Sequence, residues 1–589
     1  MGAAVGKASE DLAGTPKTQA AARLACAEHA LLQWNRSPGA DSGIWDADAK
    51  YTNRGLLSAV DEVIILAEED PFPVADSSAD RRRLDSAVAV AVSRMVEEFM
   101  RVRVWDASQM RVAVDRLSLA SSGASLMVFP SAGDRTSTAS TGEELDSSDG
   151  SQSRASSSVP DEIAALMDGE FLDKLALIRP AGVSVLHEIA QRVVRADCTK
   201  DFLRAFANAP CDVLDSFLSI LRVECSRRTT ETVIKRWSTV TKLVEKAVVA
   251  MRRQLYVQSS GAFDGFRDEY LLTIAESRVL VLLKFADEFT TVTSHEKLLY
   301  ILGMYEALSD AAPSLLLLFG GVRKQRVSER THDILSKLAD VVKTMVSGLM
   351  AKIQSDASCT RSAADGGVHP LTRYAMTSVE LLAPHRTVLG LILASGGVDA
   401  PAGGAEAVTS FGSLVAELVA ALERNLEEKS ALIFADAGGS AHLFRANNVS
   451  FVLNRAADAD VASLLGDEWA ARRRSQLERH AESYADAFWG PVVACLKTTA
   501  GVSRKPGKAL VKFNAAFKKT HGSQVCREVP DPALRAALRK NVSETVVPAY
   551  IAFLQKHPKL EKSVRYSGDD LAESLSELFE GEATDGRRC

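Results

Sequence analysis

Proline is scarce in this chain: 18 of 589 residues, about 3% against a usual ~5%. With glycine near its average share, so few breakers exclude collagen-like and low-complexity classes and favour helix. The eight cysteines (Cys26, Cys198, Cys211, Cys225, Cys359, Cys495, Cys526 and Cys589) form no C-x-x-C pair and follow no regular spacing. That argues against a disulfide scaffold or a cysteine-rich zinc site and predicts free thiols in a reducing compartment. No run approaches the ~18 apolar residues of a membrane span. Met1 to Pro16 lack the apolar stretch of a signal peptide, and a myristoylation pattern opened by Met1-Gly2 fails at Gly6, where Ser or Thr is required. The expected location is cytoplasmic.

Catalytic signatures are missing as well. The nearest approach to a phosphate loop, Gly501 to Ala509, has one residue too many between its glycines, loses a backbone donor at Pro506 and offers no hydroxyl at Ala509. Gly396, Gly397, Gly403 and Gly404 follow no strand and make no dinucleotide fingerprint. The ten histidines contain no i, i+4 pair; His369 and His385 read as satisfied helix-end side chains. There is no G-x-S-x-G elbow. The sequence therefore predicts no enzyme, no metal and no cofactor.

What is present is helical periodicity in a composition that can bury a core: 46% hydrophobic, 25% charged, mean hydropathy −0.01. Leu84, Val88, Val92, Met95 and Phe99 recur every three or four residues, and Leu57, Val60, Ile64 and Leu66 form an earlier stripe, so an antiparallel helical pair is expected near the start. Further stripes run through Val185 to Val193, Leu214 to Leu221, Leu272 to Phe285, Leu298 to Leu308 and Ile334 to Met350. Between positions 131 and 159 stand ten Ser, three Thr and three Gly, too little apolar surface to offset the entropy of ordering, which predicts a disordered linker over 131–160. Later breaks fall at Ser355 to Pro370, Gly396 to Gly404 and Ala435 to Ser440. No 34- or 40-residue repeat is visible. The expected fold is all-α, with helices stacked in antiparallel pairs. Its expected division is a disordered 1–25, a helical 26–130, the linker, a long helical body 161–581 and a flexible 582–589.

The net charge of −6 hides an asymmetry. Positions 497 to 565 hold 15 Lys/Arg and 4 Asp/Glu, a balance of +11, which leaves −17 on the rest. One basic end on an acidic body points to an anionic partner. The aromatics there (Phe513, Phe517, Tyr550, Phe553, Tyr566) have the spacing of a helix core, not of a base-stacking platform, so nucleic acid is not the expected partner. A bilayer asks only for several cations within a Debye length, each contributing ~1 kcal/mol.

Several motifs in order resemble the plant-type seventy-kilodalton subunit family of the exocyst: Ser294 to Leu308 (SHEKLLYILGMYEAL) followed by Pro313 and Leu318-Phe319-Gly320; Val368 to Met376 (VHPLTRYAM); Phe444 to Asn448 (FRANN); and Leu464 to Trp469 (LLGDEW). Phe513-Asn514, Asp531 to Arg535, Val546 to Tyr550, and Asp569 to Leu571 with Glu577 to Gly581 continue the pattern. The resemblance covers about residues 180–581 and more weakly reaches back to Cys26. It implies an elongated rod of stacked helical pairs that tethers secretory vesicles at the plasma membrane, with other exocyst subunits as partners. It further implies that a basic C-terminal tip contacts phosphatidylinositol 4,5-bisphosphate. The family's Lys-Tyr-Ile-Lys-Tyr segment falls on Lys562 to Tyr566, which keeps both cations but has Ser563 for an aromatic. Lys556, Lys559, Lys562 and Arg565 are the expected lipid-binding residues. One departure matters: only about 25 residues precede the matching region, at most ~38 Å of helix, where the family has a long bundling helix. Weak or absent incorporation into the complex is the expectation. The alternative reading is a relative detached from the complex, an interaction platform in plant immunity bound by pathogen effectors or immune receptors.

Overall fold

The computed structural model describes residues 16–36, 44–45, 50–72, 79–110, 172, 175–222, 230–258, 264–291, 297–358, 366–394, 404–434, 438–457, 459–497 and 506–581. The Ser-rich stretch 131–160 and the tail 582–589 lie outside them. Among the described residues there is no strand, only the isolated bridges Trp105 to Ile178 and Glu528 to Glu580. The rest is helix: α1 Pro16–Arg36, α2 Lys50–Glu69, α3 Ala79–Arg101, α4 Pro180–Arg195, α5 Thr199–Phe206, α6 Asp212–Arg222, α7 Thr230–Gln258, α8 Asp264–Glu288, α9 Leu298–Leu317 and α10 Gly321–Ser355. There follow α11 Pro370–Leu382, α12 Arg386–Ala394, α13 Gly404–Ile433, α14 Gly438–Ala456, α15 Ala459–Ala494, α16 Pro506–Gln524, α17 Pro532–Lys556 and α18 Gly568–Ser576. The expected breaks coincide with the ends of α10, α12 and α13. None of these helices is long and apolar enough to cross a membrane.

Local chemistry starts several of them. Pro180 and Pro370 occupy first-turn positions, where the missing N–H costs nothing. Asp531 caps α17 by accepting from the Ala533 amide at 3.0 Å, and His369 caps α11, its Nδ1 accepting from the Leu371 amide at 3.1 Å. Ser567 and Asp570 form a reciprocal capping box on α18.

The chain forms two units. The first takes described residues up to 291 together with 303–335. Its core joins helices from both sides of the Ser-rich stretch: Phe99 of α3 packs edge-on against Phe202 of α5 (5.3 Å between centroids) and Tyr270 of α8 (6.1 Å), and Arg192 of α4 forks Asp61 of α2 at 2.9 and 3.0 Å. The expected boundary at 131–160 therefore separates no domains, because the residues on either side share one buried core. The disorder expected over 1–25 is corrected for 16–25, while 1–15 lie outside the described residues. Helix begins at Pro16, and Ala20, Leu24, Ala27 and Leu31 are buried at four-residue or near-four-residue spacing. Small alanines make that stripe look poor in sequence, yet they let α1 approach α2, to which Arg23 is paired through Glu62 and Glu69.

The second unit takes residues 297–302 and 336–581. Its polar centre explains two of the sequence motifs. The Asn448 side-chain oxygen accepts from the His369 amide at 2.9 Å and the Thr372 hydroxyl at 2.6 Å, while its nitrogen donates to the Phe444 carbonyl at 2.7 Å. Asn447 donates to the carbonyl oxygens of Gly366 and Glu528 at 2.7 and 3.1 Å. These two amides tie the loop before α11 to α14, so the VHPLT and FRANN motifs are structural fasteners. Cys26, Cys198, Cys211 and Cys495 are free thiols, as expected, but Cys526 is disulfide-bonded, which corrects the expectation for that residue. Linear spacing carries no information on which sulfurs the fold brings together.

Candidate basic surface

The C-terminal end of the second unit is built on one hydrophobic cluster. Along α17 the residues Leu534, Leu538, Val542, Val546 and Tyr550 step by four, with Phe553 completing the ridge, and all are buried. They meet Ala509, Leu510, Phe513 and Phe517 of α16 and Leu571 and Leu575 of α18. Phe513 stacks on Tyr550 with centroids 4.9 Å apart. The aromatics of the basic region are thus core side chains, unavailable to stack on bases.

The cations lie on the outside of this core, in two distinct conditions. Arg535 and Arg539 are committed to the protein. Arg535 donates to the Val529 carbonyl at 3.0 Å and pairs with Glu580 at 2.9 Å. Arg539 donates to the Leu578 carbonyl at 2.8 Å and also pairs with Glu580. Those contacts hold the Glu580 carboxyl below its usual range, the Arg539 hydrogen bond being the largest cause. Lys540 faces Glu544 one turn on at 3.9 Å. These arginines hold residues 578–580 in place and present little free charge.

The other group is open. On α16 the buried face carries residues 509, 510, 513 and 517, while Lys508, Lys512 and Lys519 share the opposite side and Lys518 is exposed beside it. None of these lysines has an ion pair among the described residues. Of the residues expected from sequence, Lys556 is exposed in the last turn of α17, and Lys559 is exposed in the 3-10 turn Pro558–Ser563 that follows. Lys562 belongs to the same turn, but its side chain is outside the description. Arg565 is exposed, its guanidinium 5.5 Å from the Tyr566 ring. The structure brings the turn bearing Lys559 to the start of α16: a Cβ on Gly507 would lie 3.7 Å from Leu560. Lys508 and Lys559 flank that contact in sequence. Lys508, Lys512, Lys518 and Lys519 recur in the basic stretch but are not among the lipid-binding residues expected from sequence; the four-residue step from Lys508 to Lys512 is the signal for their common face.

Acidic groups temper the field. Asp569 and Asp570 stand in the first turn of α18, where they complement the positive helix end, and Asp570 is already occupied by the capping box. The remaining surface holds several solvated cations on a backing of packed hydrophobic side chains.

Residues 235–577 match the family described as Exo70 exocyst complex subunit, C-terminal. Exocyst complex component EXO70A1 of Arabidopsis thaliana is 28% identical over 443 residues, covering 69% of this chain and 68% of that one. Exocyst complex component EXO70A3 of the same plant is 27% identical over 436 residues, covering 69% of this chain and 73% of that one. Among solved structures, that of the S. cerevisiae exocyst component Exo70p aligns with a TM-score of 0.49 at 12% identity, covering 95% of this chain and 99% of that chain.

Proposed function

Because this chain belongs to the Exo70 family of exocyst complex subunits, we propose that it serves in vesicle tethering and contacts anionic, phosphoinositide-bearing membrane through the basic surface of α16 and residues 556–565. The observation that carries the lipid reading is the separation of charges. Arg535 and Arg539 are spent on Glu580 and backbone carbonyls, whereas Lys508, Lys512, Lys556, Lys559 and Arg565 are exposed without carboxylate partners among the described residues. Structural pairing alone does not account for that surplus. Head groups with several phosphates attract point charges, so lysine suffices where a forked guanidinium is not required.

The test is sedimentation of the full chain with vesicles containing phosphatidylinositol 4,5-bisphosphate. Reversing Lys556, Lys559, Lys562 and Arg565 to Glu is expected to abolish co-sedimentation while far-UV circular dichroism stays helical. Equal binding by the reversed chain would sink the assignment of these four residues. Failure of the unmodified chain to bind at low salt would sink the lipid reading as a whole. Membership in the complex is tested separately, by co-purification of the tagged chain with the other exocyst subunits: stoichiometric recovery supports it and overturns the expectation of weak incorporation.

A further inference from the structure

A second polar feature shares no residue with the basic surface. Helices α13, α14 and α15 enclose a groove of about 790 Å³, within the range of small-molecule sites. Leu422, Leu426, Val449 and Val452 give it an apolar floor. The charged lining comes from all three helices: Glu423, Arg424 and Glu427 on α13, His442 and Arg445 on α14, Arg479 and His480 on α15.

The carboxylates do not balance the cations. Glu423 is held by the Arg473 fork at 2.9 and 3.2 Å, and so is already neutralised by an arginine outside the lining. Glu427 is 70% exposed and only 3.5 Å from Arg445 at its closest. Arg445 is braced from behind, its Nε donating to Ser430 Oγ at 2.8 Å, which leaves the rest of the fork for another acceptor. Arg479 has no hydrogen bond or ion pair among the described residues, and Arg424 makes only a long contact of 3.4 Å to the Ala420 carbonyl.

Between these arginines, His442 and His480 meet Nδ1 to Nδ1 at 3.3 Å, so one ring donates to the other and neither Nε2 has a protein partner among the described residues. Both imidazoles are held neutral. Burial is the main cause for each; Arg445 adds to it at both, and His442 and Arg479 add at His480, which is pushed down to about 4. No carboxylate is near enough to offset these cations at either ring. A half-buried groove with arginines on three helices, whose two lining carboxylates are taken up by Arg473 and, loosely, by Arg445, keeps a surplus of positive charge that a dianion completes.

We infer that the groove binds a phosphate-bearing ligand, held by Arg445 and Arg479 and accepting hydrogen bonds from the histidine pair. Binding a dianion there offsets the arginine field at His480, so the imidazole is easier to protonate with the ligand bound than without it. Inorganic phosphate, inositol hexakisphosphate and vesicles containing phosphatidylinositol 4,5-bisphosphate share the chemistry and separate its sources.

The experiment is an NMR titration of the full chain with ¹³Cε1-labelled histidine, His442 and His480 being assigned through His442→Gln and His480→Gln. The expected result is a rise in the His480 midpoint of about one pH unit or more with a soluble phosphate, or with vesicles alone if a head group is the source. Arg479→Ala, at an exposed position that supports no internal contact, should weaken the effect about tenfold or more, as loss of a charge-assisted bond predicts, with the helical signal unchanged. No movement of either ring with any of the three probes overturns the inference. So does an undiminished shift in Arg479→Ala, or a response of the pair to Zn²⁺ with none to phosphate.

Discussion

The Tyr550 hydroxyl donates to the Tyr566 carbonyl oxygen at 2.9 Å, across sixteen residues of chain. The Tyr550 ring is wholly buried and stacked on Phe513, so this bond joins the packing of Leu560 and Tyr566 in fastening the segment bearing Lys559 and Arg565 to the hydrophobic core. Burial raises the phenol's pKa and keeps the group a donor through the neutral range.

Tyr550→Phe keeps the ring and deletes the donor. The expected cost is about 1 kcal/mol of global stability, the net worth of one hydrogen bond. Amide exchange should quicken over residues 558–566, and vesicle binding should weaken. An exchange pattern identical to that of the unmodified chain would show that the 3-10 turn is held by other contacts.

Asn448→Ala leaves the His369 amide and the Thr372 hydroxyl without their acceptor in a buried site. Each stranded donor costs about 1–3 kcal/mol, so the variant should lose several kcal/mol in urea denaturation. A loss under about 0.5 kcal/mol, the range of a surface substitution, would contradict the fastener role.

Gly182→Ala tests the first unit. A Cβ there would stand 2.5 Å from the Arg103 carbonyl oxygen and 3.0 Å from the Val104 Cα, both backbone atoms. Overpacking of this kind costs about 1–3 kcal/mol, although alanine is the better helix former. A melting temperature at or above that of the unmodified chain would refute it.

Acid stability should reflect the His480 site. The unfolded imidazole takes its proton near the ordinary value of about 6.5, the folded one only at about 4. Between those values the unfolded chain binds more protons, so stability rises with pH and is progressively lost as pH falls from 6.5 towards 4. His480→Gln should flatten this part of the stability profile. An unchanged acid limb would show that His480 titrates normally in the folded protein.

Vesicle binding through solvated lysines should fall steeply with salt, since the Debye length shrinks from ~30 Å at 0.01 M to ~8 Å at 0.15 M. Binding that persists through this range would point to apolar insertion instead.

What could be read directly from the chain was whatever depends on near neighbours. From the stripes, Leu186, Ile189 and Val193 became the buried face of α4 and Leu214, Phe217 and Leu218 that of α6, and the breaks after Ser355 and before Gly404 became helix ends. An amphipathic helix encodes its own buried face in a 3.6-residue period, so no distant partner is needed to see it. The helix at Pro16 escaped notice because alanine contributes little hydrophobic contrast, although it packs closely.

Tertiary structure alone decided which cations are free. Arg539 and Lys540 are adjacent, yet the first is bound to Glu580, 41 residues away, and the second stays on the surface. Only folding joined helices across the Ser-rich stretch into one unit, and only folding set His442 against His480 over 38 residues. The physical reason is common to all three. A charge or an imidazole acts through distance in space and through the dielectric around it, and neither quantity has a period along the sequence.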